Sequence, residues 1–100
     1  NLASCASKAA VGAITRCLAV EWAPRGVQVI NVAPGYIETD ITAEFMENSK
    51  AAAWLSSRIP LRRIGTSIEV ARLVAALISE DVPFMTGETI YLDGGHGMAV

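Results

Sequence analysis

A serine and a lysine lie four residues apart near the start of the chain, at Ser4 and Lys8. Residues at this spacing share one face of a helix, so the two side chains are predicted to project side by side. An ammonium group stabilises a neighbouring oxyanion and favours loss of the hydroxyl proton. The pair could therefore exchange a proton with a ligand. The alternative is an ordinary helix start whose small residues allow close packing.

A second candidate site is the sequence Pro34-Gly35-Tyr36, which follows an apolar, β-branched run at residues 27–32. The run predicts a parallel strand covered on both faces, and residues 33–36 are predicted to form a loop. Ligands of open α/β sheets bind at the carboxyl ends of strands, where glycine allows close backbone approach. The loop could bind a planar amide there. The alternative is a turn without a ligand, which is a frequent use of Pro-Gly.

The elements that must position these residues begin with a long helix at residues 2–22. Its apolar side chains predict burial on more than one side, and Pro24 and Gly26 end it. Cys5 and Cys17 lie on this helix roughly 18 Å apart by helix rise, which is too far for a disulfide. We therefore expect two reduced, small apolar residues and a cytoplasmic protein.

Short elements follow in the remainder of the chain. Helices are predicted at residues 42–46, at residues 51–57 and, with Ser67 as N-cap, at residues 67–79; a last strand is predicted at residues 88–93. Helix, strand, helices and strand in this order predict an α/β protein with a doubly wound parallel sheet and flanking helices. Two strands are too few for a whole sheet, so we expect further strands from elsewhere.

Composition and charge restrict the classes of partner. The chain has 100 residues, of which 52% are hydrophobic, and a folded chain of this size hides only roughly two thirds of its unfolded surface. We therefore expect exposed apolar area, and either partner chains or a fragment of a longer protein. The net charge is −2 and the basic residues are scattered, so we expect no nucleic-acid partner. The sequence has no apolar run long enough to predict a membrane-spanning helix. His96 is expected to be a solvated tail residue, and no residue spacing predicts a metal site.

Four motifs in this order resemble one known family over essentially the whole chain. They are Ser7-Lys8-Ala9-Ala10, Arg25-Gly26-Val27-Gln28-Val29 with Asn31, Pro34-Gly35 with Ile37 and Thr39, and Asp93-Gly94-Gly95. Together they resemble the C-terminal part of the short-chain dehydrogenase/reductase family. The resemblance implies that residues 1–100 are one partial, Rossmann-like domain that binds NAD or NADP. It also implies hydride transfer between nicotinamide and a carbonyl or secondary alcohol.

The resemblance assigns a role to each matching residue. In that family a tyrosine four residues before the lysine transfers the proton, and the lysine holds the nicotinamide ribose and lowers the pKa of the tyrosine. Lys8 matches the lysine, but Ser4 occupies the place of the tyrosine. Serine is shorter and a poorer acid, so we expect proton transfer slowed by on the order of 10² to 10⁴. Cys5, a thiol three residues before Lys8, is an alternative proton donor.

The rest of the family's pocket maps onto the second half of the chain. The resemblance implies that four residues surround the nicotinamide amide and the adjacent phosphate: Pro34, Gly35, Ile37 and Thr39. Tyr36 and a lid at residues 41–63 would face the substrate. The chain is similar to 3-oxoacyl-carrier-protein reductases and to gluconate 5-dehydrogenases, so 3-oxoacyl thioesters and sugars or polyols are both implied substrates. The resemblance implies a homo-oligomer, either a dimer or a tetramer; the alternative is a catalytically inactive truncated relative that serves as an oligomerisation or binding module.

Overall fold

The computed structural model describes residues 1–98, so residues 99 and 100 of the predicted domain lie outside the described residues. The elements are α1 (Leu2–Trp22), a 3-10 turn (Ala23–Arg25), β1 (Asn31–Pro34), β2 (Ile37–Glu38), α2 (Asp40–Glu47), α3 (Ser49–Arg58), β3 (Gly65–Thr66), α4 (Ser67–Leu77), β4 (Thr89–Leu92) and a second 3-10 turn (His96–Met98). This order of helices and parallel strands confirms the predicted α/β class.

The strands β1 and β4 form a parallel pair, in register from Asn31 opposite Thr89 to Pro34 opposite Leu92. The parallel arrangement confirms the prediction, but β1 begins four residues later than predicted and includes two residues predicted as loop. The reason is that the preceding residues bond to the loop before β4 rather than to β4 itself. Val29 accepts a backbone hydrogen bond from Gly87 at 2.7 Å and donates one to the Thr86 hydroxyl at 2.9 Å.

The second, smaller sheet is not predicted by any pattern in the sequence. β2 and β3 pair in parallel over two residues each, with Ile37 opposite Gly65 and Glu38 opposite Thr66. Strands this short carry too few side chains for an alternating pattern. The pairing brings together the two ends of the segment that contains α2 and α3.

The predicted bounds of α1 are confirmed, but its predicted burial on more than one side is wrong. Thr15 and Ala19 are its buried residues, and the helix contacts β1 along one face. Most of the other residues of α1 are exposed. Cys5 and Cys17 are free, and both are exposed rather than packed as small apolar residues.

The helices α2 and α3 each begin two residues earlier than predicted because Thr39 and Asn48 cap them with side-chain oxygens, and each ends one residue later than predicted. The predicted N-cap of α4 is wrong: Thr66, not Ser67, occupies that position. A threonine followed three residues later by glutamate forms a capping box, in which Thr66 Oγ1 accepts from the Glu69 amide at 3.3 Å. Ser67 has valine at that spacing and instead donates its hydroxyl to the Glu38 carbonyl. The helix ends at Leu77, two residues before the predicted end.

Apolar surface remains exposed on several elements, as the composition predicted. The large exposed side chains include Leu2, Val11, Ile14 and Val20 on α1, Ile41, Phe45 and Trp54 on α2 and α3, and Ile68, Ile78, Phe84 and Tyr91 on or beside α4 and β4. Among the residues whose burial the structure describes, the buried apolar ones are Ala19, Leu55 and Ile59. Within residues 1–98, no helix is long and apolar enough to cross a membrane.

Candidate active site

Lys8, Pro34 and Gly35 line one open groove of about 760 Å³. Lys8 comes from the second turn of α1, and the other two residues come from the carboxyl end of β1. The fold thus brings together residues that are 26 positions apart in the chain. The groove runs along β1 from Asn31 to the bend at Gly35 and so reaches the carboxyl ends of the strands, where ligands of parallel sheets bind. Its other polar lining residues are Arg16, Asn31, Thr89, Tyr91, Asp93 and His96.

Ser4 lies one helical turn before Lys8, on the first turn of α1. The Asn1 side chain caps this turn by accepting from the Ser4 amide at 2.9 Å, and the Ser4 carbonyl accepts from the Ser7 hydroxyl at 3.0 Å. Among the described residues, the groove lining includes Lys8 but not Ser4. The short serine side chain therefore stays outside the groove that its neighbour enters.

The bend after β1 is packed tightly against the end of β4. The Gly35 amide donates to the Leu92 carbonyl at 2.9 Å. A Cβ atom at Gly35 would lie 2.8 Å from Asp93 Cβ and 2.9 Å from Asp93 Cα, which is closer than real Cβ contacts allow. Glycine is therefore required at position 35 by the packing of the two strand ends. This packing fixes the shape of the groove mouth.

The structure places Ile37 and Thr39 beside the groove mouth rather than in the groove lining. Ile37 lies in β2, opposite Gly65. Thr39 is the N-cap of α2, and its amide donates to the Thr42 hydroxyl at 2.7 Å. Ile37 therefore belongs to the short strand after the bend, and Thr39 begins the next helix.

Tyr36 lines a second, smaller cavity of about 70 Å³ on the other side of the bend. The cavity lies against the end of the predicted lid, and its lining includes Leu61, Arg63 and Glu69. Asp93 lines both this cavity and the groove. The two spaces are therefore neighbours, separated by Tyr36 and the turn after β4.

The solvated-tail prediction for His96 is wrong. Its side chain is half-buried, lines the groove and packs on the Tyr36 ring with a centroid distance of 5.4 Å. Asp93, which was not predicted as a site residue, lines the groove and bonds through its carboxylate to the Gly95 and Gly97 amides at 2.9 and 3.0 Å. An aspartate two residues before a glycine is a turn pattern that could have predicted this.

The charges in and beside the groove are unevenly distributed. Lys8 and Arg16 contribute two cations to the groove lining, while Asp93 contributes one carboxylate that is already bonded to backbone amides. The Arg63 guanidinium and a hydrogen bond from the Thr66 amide lower the pKa of Glu69 to about 2. Among the described residues, the groove therefore offers positive charge without an ion-pair partner, while the ion pair beside the predicted lid is internally neutral.

A pair of parallel strands flanked by helices, with a groove that reaches their carboxyl ends, is typical of a doubly wound α/β protein of the Rossmann type. Residues 1–97 match the family model described as enoyl-(acyl carrier protein) reductase. The chain belongs to the short-chain dehydrogenase/reductase family.

The chain is similar to part of several curated relatives and solved structures. The chain is 46% identical over 90 residues to glucose 1-dehydrogenase of Gluconobacter oxydans, which covers 90% of this chain and 34% of that protein. It is 47% identical over 90 residues to a 3-oxoacyl-(acyl-carrier-protein) reductase of Chlamydia pneumoniae, covering 90% of this chain and 36% of that protein. A solved 4-hydroxyisoleucine dehydrogenase complexed with NADH superposes with a TM-score of 0.89 at 28% identity, over 95% of this chain and 39% of that one. The chain thus spans about a third of the length of the curated relatives it matches.

Proposed function

We propose that the protein containing this chain is an NAD- or NADP-dependent oxidoreductase that transfers hydride between nicotinamide and a carbonyl or secondary alcohol. The observation that carries this proposal is the single groove that Lys8 shares with Pro34 and Gly35 at the carboxyl ends of the parallel strands. Relatives that are named dehydrogenases and reductases support the same reaction type. Substrates of the 3-oxoacyl thioester type and of the sugar or polyol type are both consistent with those names.

The residues present fit a nicotinamide dinucleotide, which presents ribose hydroxyls, a carboxamide and two phosphates. Lys8 would hold the ribose, since its ammonium donates hydrogen bonds and cannot accept them. Backbone groups around Pro34, Gly35 and Ile37 would hold the carboxamide. Thr39 would lie near the adjacent phosphate, because it begins α2 and helix N-termini favour anions. When bound, the cofactor supplies or accepts the hydride.

In our proposal, proton transfer to or from the substrate is the slow step of the reaction. Ser4 stands where a proton donor is needed, but a serine hydroxyl is a weak acid and this one lies outside the groove lining. Cys5 is an exposed thiol on the same turn and is the alternative donor. We expect a protein that retains cofactor binding through Lys8 while its turnover is slow.

Residues 41–63 act as the substrate lid in this proposal. They contain α2 and α3, whose exposed apolar side chains include Ile41, Phe45 and Trp54. Tyr36 lies between the groove and the cavity under the end of the lid. The substrate would thus meet Tyr36 on one side and the lid on the other.

The experiment is a titration of the natural full-length protein with NADH and with NADPH, followed by cofactor fluorescence. Lys8→Ala is the test variant, and Arg25→Ala, which removes an exposed cation beyond the far end of α1, is the matched control. We expect saturable binding that Lys8→Ala weakens and Arg25→Ala leaves unchanged. Equal loss in both variants, or no effect of Lys8→Ala, would contradict the proposed role of Lys8.

A second candidate function is an inactive module that acts through assembly. The exposed apolar side chains of α1, namely Leu2, Val11, Ile14 and Val20, favour it because a second chain would remove them from water. Assembly as a dimer or tetramer through α1, α4 and β4 is compatible with both candidates. A stable oligomer without any nicotinamide binding would select the second candidate over the first.

A further inference from the structure

His96 occupies a position in the groove that no motif assigns. It shares the groove lining with Lys8, Pro34 and Gly35, and one face of its ring packs on Tyr36, with ring planes inclined by 30°. Tyr36 in turn lines the cavity under the lid. The imidazole therefore lies on the lid side of the groove, toward the space proposed for the substrate.

The backbone holds His96 firmly in this place. The carboxylate of Asp93 accepts the Gly95 amide through Oδ1 at 2.9 Å and the Gly97 amide through Oδ2 at 3.0 Å, so one side chain tethers both neighbours of His96. The His96 amide itself donates to the Asp93 carbonyl at 3.1 Å. Gly94 and Gly95 both have left-handed φ angles, which the turn requires. The imidazole is thus presented from a tight, hydrogen-bonded turn.

The chemistry of imidazole differs from that of the cations in the same groove. A neutral imidazole carries one donor and one acceptor nitrogen, whereas Lys8 and Arg16 only donate. The carboxylate of Asp93 is engaged by two amides, and Asn31 and Thr89 bond to each other at the opposite end of the strands. The acceptor nitrogen of His96, on the lid side of the groove, can bind a ligand that carries a hydrogen-bond donor. A hydroxyl group both donates and accepts and can bond to either imidazole nitrogen, whereas the oxygens of an acyl thioester can only accept from the donor nitrogen and leave the acceptor nitrogen without a partner.

On these grounds we propose that His96 is a specificity-determining residue that hydrogen-bonds a second hydroxyl of the substrate and favours sugars or polyols over substrates with a single oxygen. This proposal rests on the proposed oxidoreductase function and names the substrate class for its site. The Tyr36 ring lies against the imidazole in a tilted arrangement, with a centroid distance of 5.4 Å. Loss of the ring nitrogens should therefore remove the preference without removing the aromatic wall.

The test compares two probe alcohols that differ by one hydroxyl, cyclohexane-1,2-diol and cyclohexanol, in the full-length protein. The natural protein, His96→Phe and His96→Gln are each assayed for kcat/KM with both alcohols, in parallel with a Ser4→Tyr background that restores the proton donor. His96→Phe keeps an aromatic ring against Tyr36, and His96→Gln keeps a donor and an acceptor. We expect the diol preference to fall by about tenfold in His96→Phe and to be largely retained in His96→Gln, since one hydrogen bond is lost only in the former.

A second readout is independent of turnover: the quenching of bound NADH fluorescence by each alcohol gives its dissociation constant. Weaker diol binding in His96→Phe alone would support the proposal. An unchanged ratio of diol to cyclohexanol in His96→Phe would overturn it, and so would equal losses in both variants, which would indicate a purely structural role. Absence of NADH binding in the natural protein would instead overturn the proposed function, so the two failures are distinguishable.

Discussion

Arg63 and Glu69 form a two-point salt bridge in which Nη1 and Nη2 of the arginine each donate to a different carboxylate oxygen at 2.8 Å. Arg63 lies at the end of the proposed lid, and Glu69 lies in the first turn of α4. The same carboxylate also accepts from the amide and the hydroxyl of Thr66 at 3.0 and 3.1 Å. One acidic side chain therefore joins the lid, β3 and α4.

We predict that Arg63→Gln loosens the lid while leaving the rest of the fold intact. The fork geometry supplies two charge-assisted hydrogen bonds that glutamine cannot reproduce. The measurement is hydrogen exchange, which should become faster in residues 39–64 and remain unchanged in α1. Arg72→Gln, an exposed arginine on α4, is the control. Equal exchange in the two variants would show that the salt bridge does not hold the lid.

The same pair predicts a dependence of stability on pH. The Arg63 hydrogen bond and the Thr66 amide lower the pKa of Glu69 from 4.5 to about 2. Because the folded pKa is the lower one, the stabilisation is fully present above about pH 4.5 and is lost as pH falls toward 2. The difference in Tm between the natural protein and Glu69→Gln should thus be constant from pH 5 to 7 and shrink between pH 4 and 2. A difference that grows on acidification would contradict the assignment.

We predict that Gly35→Ala is more destabilising than Gly26→Ala. At Gly35 the new methyl group would meet Asp93 backbone and Cβ atoms at 2.8 to 2.9 Å, so β1 and β4 must separate. At Gly26 nothing lies within 4 Å, and the cost is only that of a left-handed φ of 74°. We expect losses of about 1–3 kcal/mol for overpacking at position 35 and about 1 kcal/mol at position 26. Urea denaturation of the two variants measures the difference.

We predict that Thr66→Ala costs more stability than Ser67→Ala. Thr66 caps α4 reciprocally with Glu69, whereas Ser67 contributes one hydrogen bond to the Glu38 carbonyl. Loss of a threonine N-cap costs about 1 kcal/mol. Thermal unfolding of both variants provides the measurement, and a larger loss for Ser67→Ala would restore the cap position that the sequence pattern favoured.

We predict that Ser4→Tyr raises turnover without changing cofactor affinity. Ser4 is exposed on the first turn of α1, so an aromatic ring can be accommodated there and can extend toward the groove that Lys8 lines. A phenol next to an ammonium is a better proton donor than a serine hydroxyl, and the gain should be on the order of 10² to 10⁴ in kcat. Ser4→Phe, which supplies the ring without the hydroxyl, should show no such gain. The cofactor titration checks that binding is unaltered.

The sequence predicted those parts of the fold in which many residues repeat one pattern. The 21-residue helix α1 and the parallel partners β1 and β4 follow from apolar periodicity and β-branched residues. The pairing of β2 with β3 cannot be predicted in this way, because each strand has two residues and the pairing joins residues that are 28 positions apart in the chain. The predicted burial of α1 is too high because apolar composition shows that a surface is favourable to bury, but not that another element of the chain covers it.

The candidate site was predictable to a similar extent. Lys8 and the Pro34-Gly35 bend belong to local motifs, and their common groove follows from the parallel topology. His96 was missed because its position depends on the Asp93 carboxylate and on the Tyr36 ring, which reaches it across 60 residues of sequence. The ion pair of Arg63 and Glu69 was missed for the related reason that charged residues six apart face each other only once a strand and a helix turn are in place.

The short pairing of β2 with β3 makes the segment between them, residues 39–64, replaceable without a change in the strands that flank it. The segment that contains α2 and α3 begins after β2 and ends before β3, and these two strands are paired. The distance between the two ends of the segment is therefore fixed by the strands and does not depend on the sequence of the segment. Closing a longer loop costs little additional entropy, because the cost grows only with the logarithm of its length. Insertions, deletions or grafted helices between residues 39 and 64 can therefore remodel what enters the site while β1, β4 and the lysine of α1 keep their geometry.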